Sequence, residues 1–128
     1  MLRSYNPGAI APPFSRYSHA VETPAGARWL HVSGQVGVRP DGSLADGVEA
    51  QIEQAFVNIF AALQTAGMSK HDLVKLTVFL TDQQAVPALR TIRDKMVLPA
   101  EPASTLLIVA GLARPEWLVE IEAIAAAA

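Results

Sequence analysis

Cysteine is absent from these 128 residues, which excludes disulfides, zinc-thiolate centres and a cysteine nucleophile. Charge is sparse as well: only 17% of residues are charged, ten basic against twelve acidic, for a formal charge of −2. No Lys/Arg block occurs and no basic residues interleave with aromatics, so nothing is suited to tracking a phosphate backbone, and nucleic acid is not an expected partner. The longest apolar run, Leu106 to Ala113, is too short to cross a bilayer as a helix, and no membrane association is expected. Met1 to Pro13 is interrupted by Arg3, Asn6, Pro7, Gly8 and two further prolines, leaving no apolar core of a secretion signal. A cytoplasmic protein is the expectation. Glycine-rich nucleotide motifs, a P-loop and a Gly-x-Ser-x-Gly elbow are all missing. His19, His31 and His71 have no metal-ligand spacing, so neither a metal nor a cofactor is expected.

What is plentiful is apolar surface, at 51% of residues. A chain of this length fits one domain spanning residues 1–128 and buries roughly two thirds of the surface its unfolded form exposes. With so little charge to cover the remainder, self-association is favoured over a monomer with an apolar-rich core.

The pattern along the chain gives the architecture. Tyr17 to Glu22 and Arg28 to Val32 flank the turn-forming Thr23-Pro24-Ala25-Gly26, which predicts a β-hairpin. Ile52, Ala55, Phe56, Ile59, Phe60, Leu63 and Ala66 recur at three- and four-residue steps. That is an amphipathic helix, with Glu53, Asn58 and Gln64 on its solvent side. Asp46 is the expected N-cap, and Gly67 the left-handed terminator. His71 to Thr81 alternates as a strand, with Val74, Leu76, Val78 and Leu80 facing one way. A second helix is expected from near Ala85, with Pro87 in its first turn and Val86, Leu89, Met96 and Val97 as the buried stripe. Strands at Thr105 to Ala110 and Trp117 to Ala125 complete an α+β order, a mixed β-sheet backed by two helices. A crossover would pair Thr105 to Ala110 beside His71 to Thr81.

Within the last strand, Glu120 and Glu122 alternate with Val119, Ile121 and Ala123. Period two places both carboxylates on one face, and both faces look apolar. A carboxylate in apolar surroundings titrates high, as a general acid or base at neutral pH requires. The competing reading is an edge position, or a pairing with arginine across a subunit contact. Ser33-Gly34-Gln35 follows an apolar strand, where its amides and hydroxyl can orient a carbonyl or carboxylate, or simply turn the chain. Tyr17 can stack on a planar ligand, or merely pack.

Tyr17-Ser18-His19-Ala20-Val21, Val32-Ser33-Gly34-Gln35, Val78-Phe79-Leu80-Thr81-Asp82 and Val119-Glu120-Ile121-Glu122-Ala123-Ile124-Ala125 together resemble the Rid (YjgF-type) superfamily, in the family's order and across nearly the whole chain. The resemblance implies a chorismate-mutase-like (bacillar type) fold assembled as a homotrimer, with small-molecule clefts between subunits. It also implies a catalytic glutamate with bound water at Glu120, and a pocket completed by Tyr17, Ser33 and Gly34. The deaminases of the family hold their substrate carboxylate with an arginine ahead of the penultimate strand. Here that run reads Pro102-Ala103-Ser104-Thr105, with Ser104 in the arginine's place. A hydroxyl cannot replace a bidentate guanidinium. The sequence therefore resembles an arginine-lacking subgroup, in which Ser104 and Thr105 would select the substrate, and Arg90 or Arg93 on the second helix stands as a substitute anion partner. Three functions remain open: hydrolysis of an imine or enamine by Glu120 and water, non-catalytic metabolite binding or regulation, and the RNA cleavage attached to some relatives, which the lack of a basic stripe disfavours.

Overall fold

The apolar spacing between Ile52 and Leu63 is realised as helix α1 (Val48–Thr65) in a computed structural model that describes residues 1–128. Its C-terminus is closed by Gly67 at φ 71°. The Gly67 amide donates to the Gln64 carbonyl at 3.0 Å and the Met68 amide to Leu63 at 2.9 Å. This paired closure needs a left-handed residue, which glycine adopts without strain. The N-terminus differs from expectation. Gly47, at φ 86°, is the cap and no side chain bonds there, so Asp46 lies one residue too early to serve.

Helix α2 (Val86–Val97) follows a short 3-10 turn, Gln83–Ala85. Asp82 caps that turn by accepting from the Gln84 amide at 2.9 Å. Its buried residues are Leu89, Arg93 and Val97, with Val86 and Met96 only half-buried. The expected stripe therefore contains an arginine.

Six strands form two sheets. The smaller pairs β1 (Arg3–Tyr5) with β2 (Ala20–Glu22), antiparallel. The larger joins β3 (Arg28–Gln35), β4 (Leu73–Leu80), β5 (Ala103–Ile108) and β6 (Val119–Ala127) in the order β3-β6-β4-β5. β4 and β5 are parallel, as the crossover expectation required, while β6 runs antiparallel to both β3 and β4. The hairpin expectation fails. Gly26 does turn the chain at φ 75°, but β2 turns away to β1 and β3 takes β6 as its partner. A turn signal fixes where the chain bends; it does not fix which strand the next segment meets.

One face of the larger sheet is closed by the helices. Leu76, Val78, Leu80, Val119, Ile121, Ala123 and Ala125 meet Ile52, Phe56, Ile59 and Leu63 in a single core cluster. Burying each large apolar side chain of this set contributes about 1.5–3 kcal/mol. Val74 does not join them. Leu73 pairs with Ala125 and Lys75 with Ile124, so Val74 is the extra residue of a bulge, and the inward phase passes to Leu73. Trp29, His31, Lys75, Thr77, Phe79, Thr105, Leu107, Glu120, Glu122 and Ile124 share the opposite face by register. No helix lies over it.

Candidate functional site

Two buried or half-buried amides of α1 hold the strand ends that carry the site. Gln51 is buried; its Oε1 accepts from the Leu118 amide at 2.9 Å and its Nε2 donates to the Glu116 carbonyl at 3.3 Å. The entry to β6 is thereby fixed two residues before Glu120. Asn58 was expected to face solvent; instead its Nδ2 donates to the carbonyls of Val36 at 3.3 Å and Val38 at 3.0 Å. Both carbonyls lie just past the end of β3; that of Val36 also accepts from the Val38 amide at 2.8 Å, so the Asn58 amide ties down the turn that leaves the strand.

β3 carries a bulge where Ser33 and Gly34 stand. Val32 pairs with Ala123 but Gln35 with Ile121, one residue more on β3 than on β6. The bulge brings Gly34 under the Glu120 side chain. A Cβ at Gly34 would overlap the Glu120 carboxylate, with Cδ at 2.7 Å and Cγ at 2.9 Å, so only glycine leaves this acid its place. Glu120 is half-buried and Glu122 exposed, opposite Phe79 and Thr77 of β4 respectively. The Glu120 carboxylate has no hydrogen-bond partner within the chain, which leaves its lone pairs free for a ligand or water. Ser33 is exposed.

The other expected residues gather elsewhere. The Ser18 amide donates to the Pro102 carbonyl at 3.1 Å, and Ser18 bridges to Ala103 in parallel fashion. The Ser18 hydroxyl donates to the Glu101 carbonyl, and Arg16 pairs with the Glu101 carboxylate at 2.8 Å. These contacts lay Tyr17 beside the start of β5. Tyr17 is half-buried, its hydroxyl accepts from the Phe14 amide at 3.2 Å, and its ring meets His19 edge-on at 6.1 Å. Ser104 pairs with Leu76, hence faces the helix side of the sheet, whereas Thr105 pairs with Thr77 on the open side.

Arg93 reaches this corner from α2. It is only 6% exposed, and its Nη2 donates to Ser15 Oγ at 3.0 Å and lies 3.5 Å from Asp94 Oδ1. Its Nε is buried without any partner. Burial pulls the guanidinium below its ordinary pKa, with Asp94 opposing the shift. An arginine nevertheless keeps its charge near neutrality. Arg90, one turn earlier, is exposed and makes no ion pair. Spacing alone could have found Arg93, since it stands four residues from both Leu89 and Val97.

The expected site is thus divided within one chain. Ser33, Gly34 and Glu120 lie across β3 and β6, while Tyr17, Ser104 and Arg93 surround the start of β5. Two strand spacings and three residues of rise separate Glu120 from Ser104, about 14 Å, and the two side chains leave opposite faces. No three His, Asp or Glu side chains converge into a metal-sized group, and no helix is long and apolar enough to cross a membrane.

With this geometry in view, the comparisons with known proteins define the class. The family model described as Endoribonuclease L-PSP matches residues 8–127, and the chain belongs to the Rid (YjgF-type) superfamily. A mouse 2-iminobutanoate/2-iminopropanoate deaminase is 36% identical over 121 residues, covering 93% of this chain and 84% of that protein. YyfB of Yersinia pestis, a Rid-family protein of unknown function, superposes with a TM-score of 0.88 at 35% identity over 97% of each chain. Escherichia coli TdcF, solved with bound serine, does so at 0.73 and 30% identity, over 95% of this chain and 93% of its own.

Proposed function

We propose that this chain is a hydrolase of an arginine-lacking Rid subgroup, working as a chorismate-mutase-like homotrimer with one small-molecule cleft at each subunit boundary. Its substrate is an imine, or an enamine through its imine tautomer. Glu120 takes a proton from water as the water oxygen bonds to the C=N carbon, and the nitrogen is protonated. The carbinolamine formed then releases ammonia and leaves a carbonyl compound.

The observation that carries this reading is the Glu120 carboxylate, set over Gly34 on a face no helix covers and without a partner of its own. Such a group is free to orient and deprotonate a water. The division of the site supports the trimer, because Glu120 of one subunit and the Tyr17–Thr105 corner of another would complete a pocket that one chain leaves open. The deaminase name of the mouse relative and the serine bound to TdcF point toward amino-acid-derived ligands.

Glu120→Gln tests it. Ammonia release from imines generated in place from amino acids is expected to fall about 10²–10⁴-fold, the usual range for loss of a general base, with the assembly unchanged in size. Wild-type protein that turns over no imine or enamine across a broad panel would sink the proposal. Non-catalytic metabolite binding would then take its place, a reading favoured by Ser104 facing away from the Glu120 side. It requires a ligand that raises the melting temperature and is recovered unchanged.

A further inference from the structure

Arg93 is a charged side chain with five N–H donors and few acceptors. Its surroundings offer one hydroxyl at 3.0 Å and one marginal carboxylate contact at 3.5 Å, from the neighbouring Asp94 on the same helix. Nε is sealed from solvent and bonded to nothing. A guanidinium this deeply buried is ordinarily matched by a carboxylate across two parallel N–H···O bonds, because desolvation is otherwise uncompensated. The fold supplies no such carboxylate: Glu101, the nearest acid of the leader junction, is already engaged by Arg16 at 2.8 Å.

The position of the group is as informative as its lack of partners. Arg93 projects from α2 to Ser15, two residues before Tyr17, and the Ser15–Ser18 segment is bonded along the start of β5 through Pro102 and Ala103. The unmatched cation therefore borders the same corner as Tyr17 and Ser104. Ser15 Oγ is the one close acceptor on Nη2, Asp94 Oδ1 standing off at 3.5 Å, and one χ1 rotation of that serine releases it. We infer that Arg93 is the anion anchor of the cleft, that it takes the carboxylate of a small organic acid, and that Ser15 is its resting partner in the ligand-free protein. The inference rests on the proposed cleft at this corner and assigns its substrate class; Arg90, exposed on the outer side of α2, does not share the role.

Binding rather than turnover provides the test, with pyruvate as the carboxylate probe and pyruvamide as its neutral counterpart, titrated into the full-length protein. Pyruvate is expected to saturate the protein, with pyruvamide at least tenfold weaker. Arg93→Ala should weaken pyruvate at least tenfold, Arg93→Lys less, since an ammonium keeps the charge and loses the fork. Lys95→Ala, an exposed cation on the same helix, should bind pyruvate as wild type does. Ser15→Ala is the decisive variant where Arg93→Ala fails to fold: removing the competing hydroxyl should tighten pyruvate severalfold, whereas a purely structural Arg93–Ser15 tether predicts no change or a loss. Equal affinity for pyruvate and pyruvamide, undiminished binding by Arg93→Ala, or no tightening in Ser15→Ala overturns the assignment. Failure of the hydrolase reading looks different: pyruvate binds through Arg93, yet Glu120→Gln leaves ammonia release untouched.

Discussion

On the helix side of the larger sheet, Leu76, Val78, Leu80, Val119 and Ile121 are fully enclosed, and every residue on that side of β4 beyond the bulge is apolar. On the other side, Trp29, Phe79 and Leu107 stand among Lys75, Thr77, Glu120 and Glu122 with no helix above them. Trp29 and Leu107 remain 52% and 45% exposed. The first face is a core by any reading of its sequence. The second is too apolar for an ordinary solvated surface and too charged for a core, a mixture typical of a face that meets another subunit around a polar site. If the proposed role of Glu120 holds, the proton-transferring acid and the core lie on opposite sides of the same four strands, so that substitutions around the acid can be made without disturbing the packing that holds the fold.

Substitutions on the two sides should therefore fail in different ways. Phe56→Ala, in the helix-side core, is expected to cost about 3–5 kcal/mol, read by urea unfolding at fixed protomer concentration; a cost under about 1 kcal/mol would break the contrast. Ile124→Arg, on the open face, should leave the far-ultraviolet circular dichroism of the subunit intact. It should weaken assembly by at least roughly 100-fold, equivalent to about 2.7 kcal/mol, and sedimentation that still shows the wild-type oligomer would mean this face is not the interface. Gly34→Ala sharpens the comparison at the site itself. Its new methyl group must displace the Glu120 carboxylate, so ammonia release should drop about tenfold or more through misplacement, while unfolding free energy moves by about 1 kcal/mol or less. The smallest effect belongs to Asp82→Ala. Losing the cap of the turn before α2 should lower stability by about 1 kcal/mol and leave turnover alone.

How much of this was legible in the sequence depends on the range of the interaction that decides each element. Helix α1 is read correctly because Ile52, Phe56, Ile59 and Leu63 declare a face through their immediate neighbours, and Gly67 terminates it by its own backbone freedom. The alternation around Glu120 and Glu122 is equally local, so their shared face was readable. Strand partnership is not: β3 finds β6 some ninety residues later in the chain, and the Thr23–Gly26 turn carries no information about that meeting. The bulges at Val74 and Ser33–Gly34 shift the phase of burial by one residue; a glycine inside a strand hints at the second, and nothing in the local composition marks the first. Asn58 was assigned outward, and Arg93 was left out of the buried stripe expected on α2, because polar side chains usually face solvent. Each is drawn inward by a specific contact, Asn58 by the carbonyls of Val36 and Val38 past the end of β3, Arg93 by Ser15. The close packing of Gly34 on Glu120, the feature that most constrains the acid, joins two residues 86 positions apart and emerges only once β3 and β6 lie side by side.

The bridge from Ser18 to Ala103 gives the leader a protective duty. β5 ends the larger sheet, and an uncovered strand edge invites pairing with any extended chain nearby. Ser18 occupies the first rung of that edge, and Arg16 and Arg93 moor the preceding residues on either side of it. Shortening the protein to begin after Ser18 would uncover that first rung and lengthen the open edge of β5, although the residues removed contribute almost nothing to the hydrophobic core.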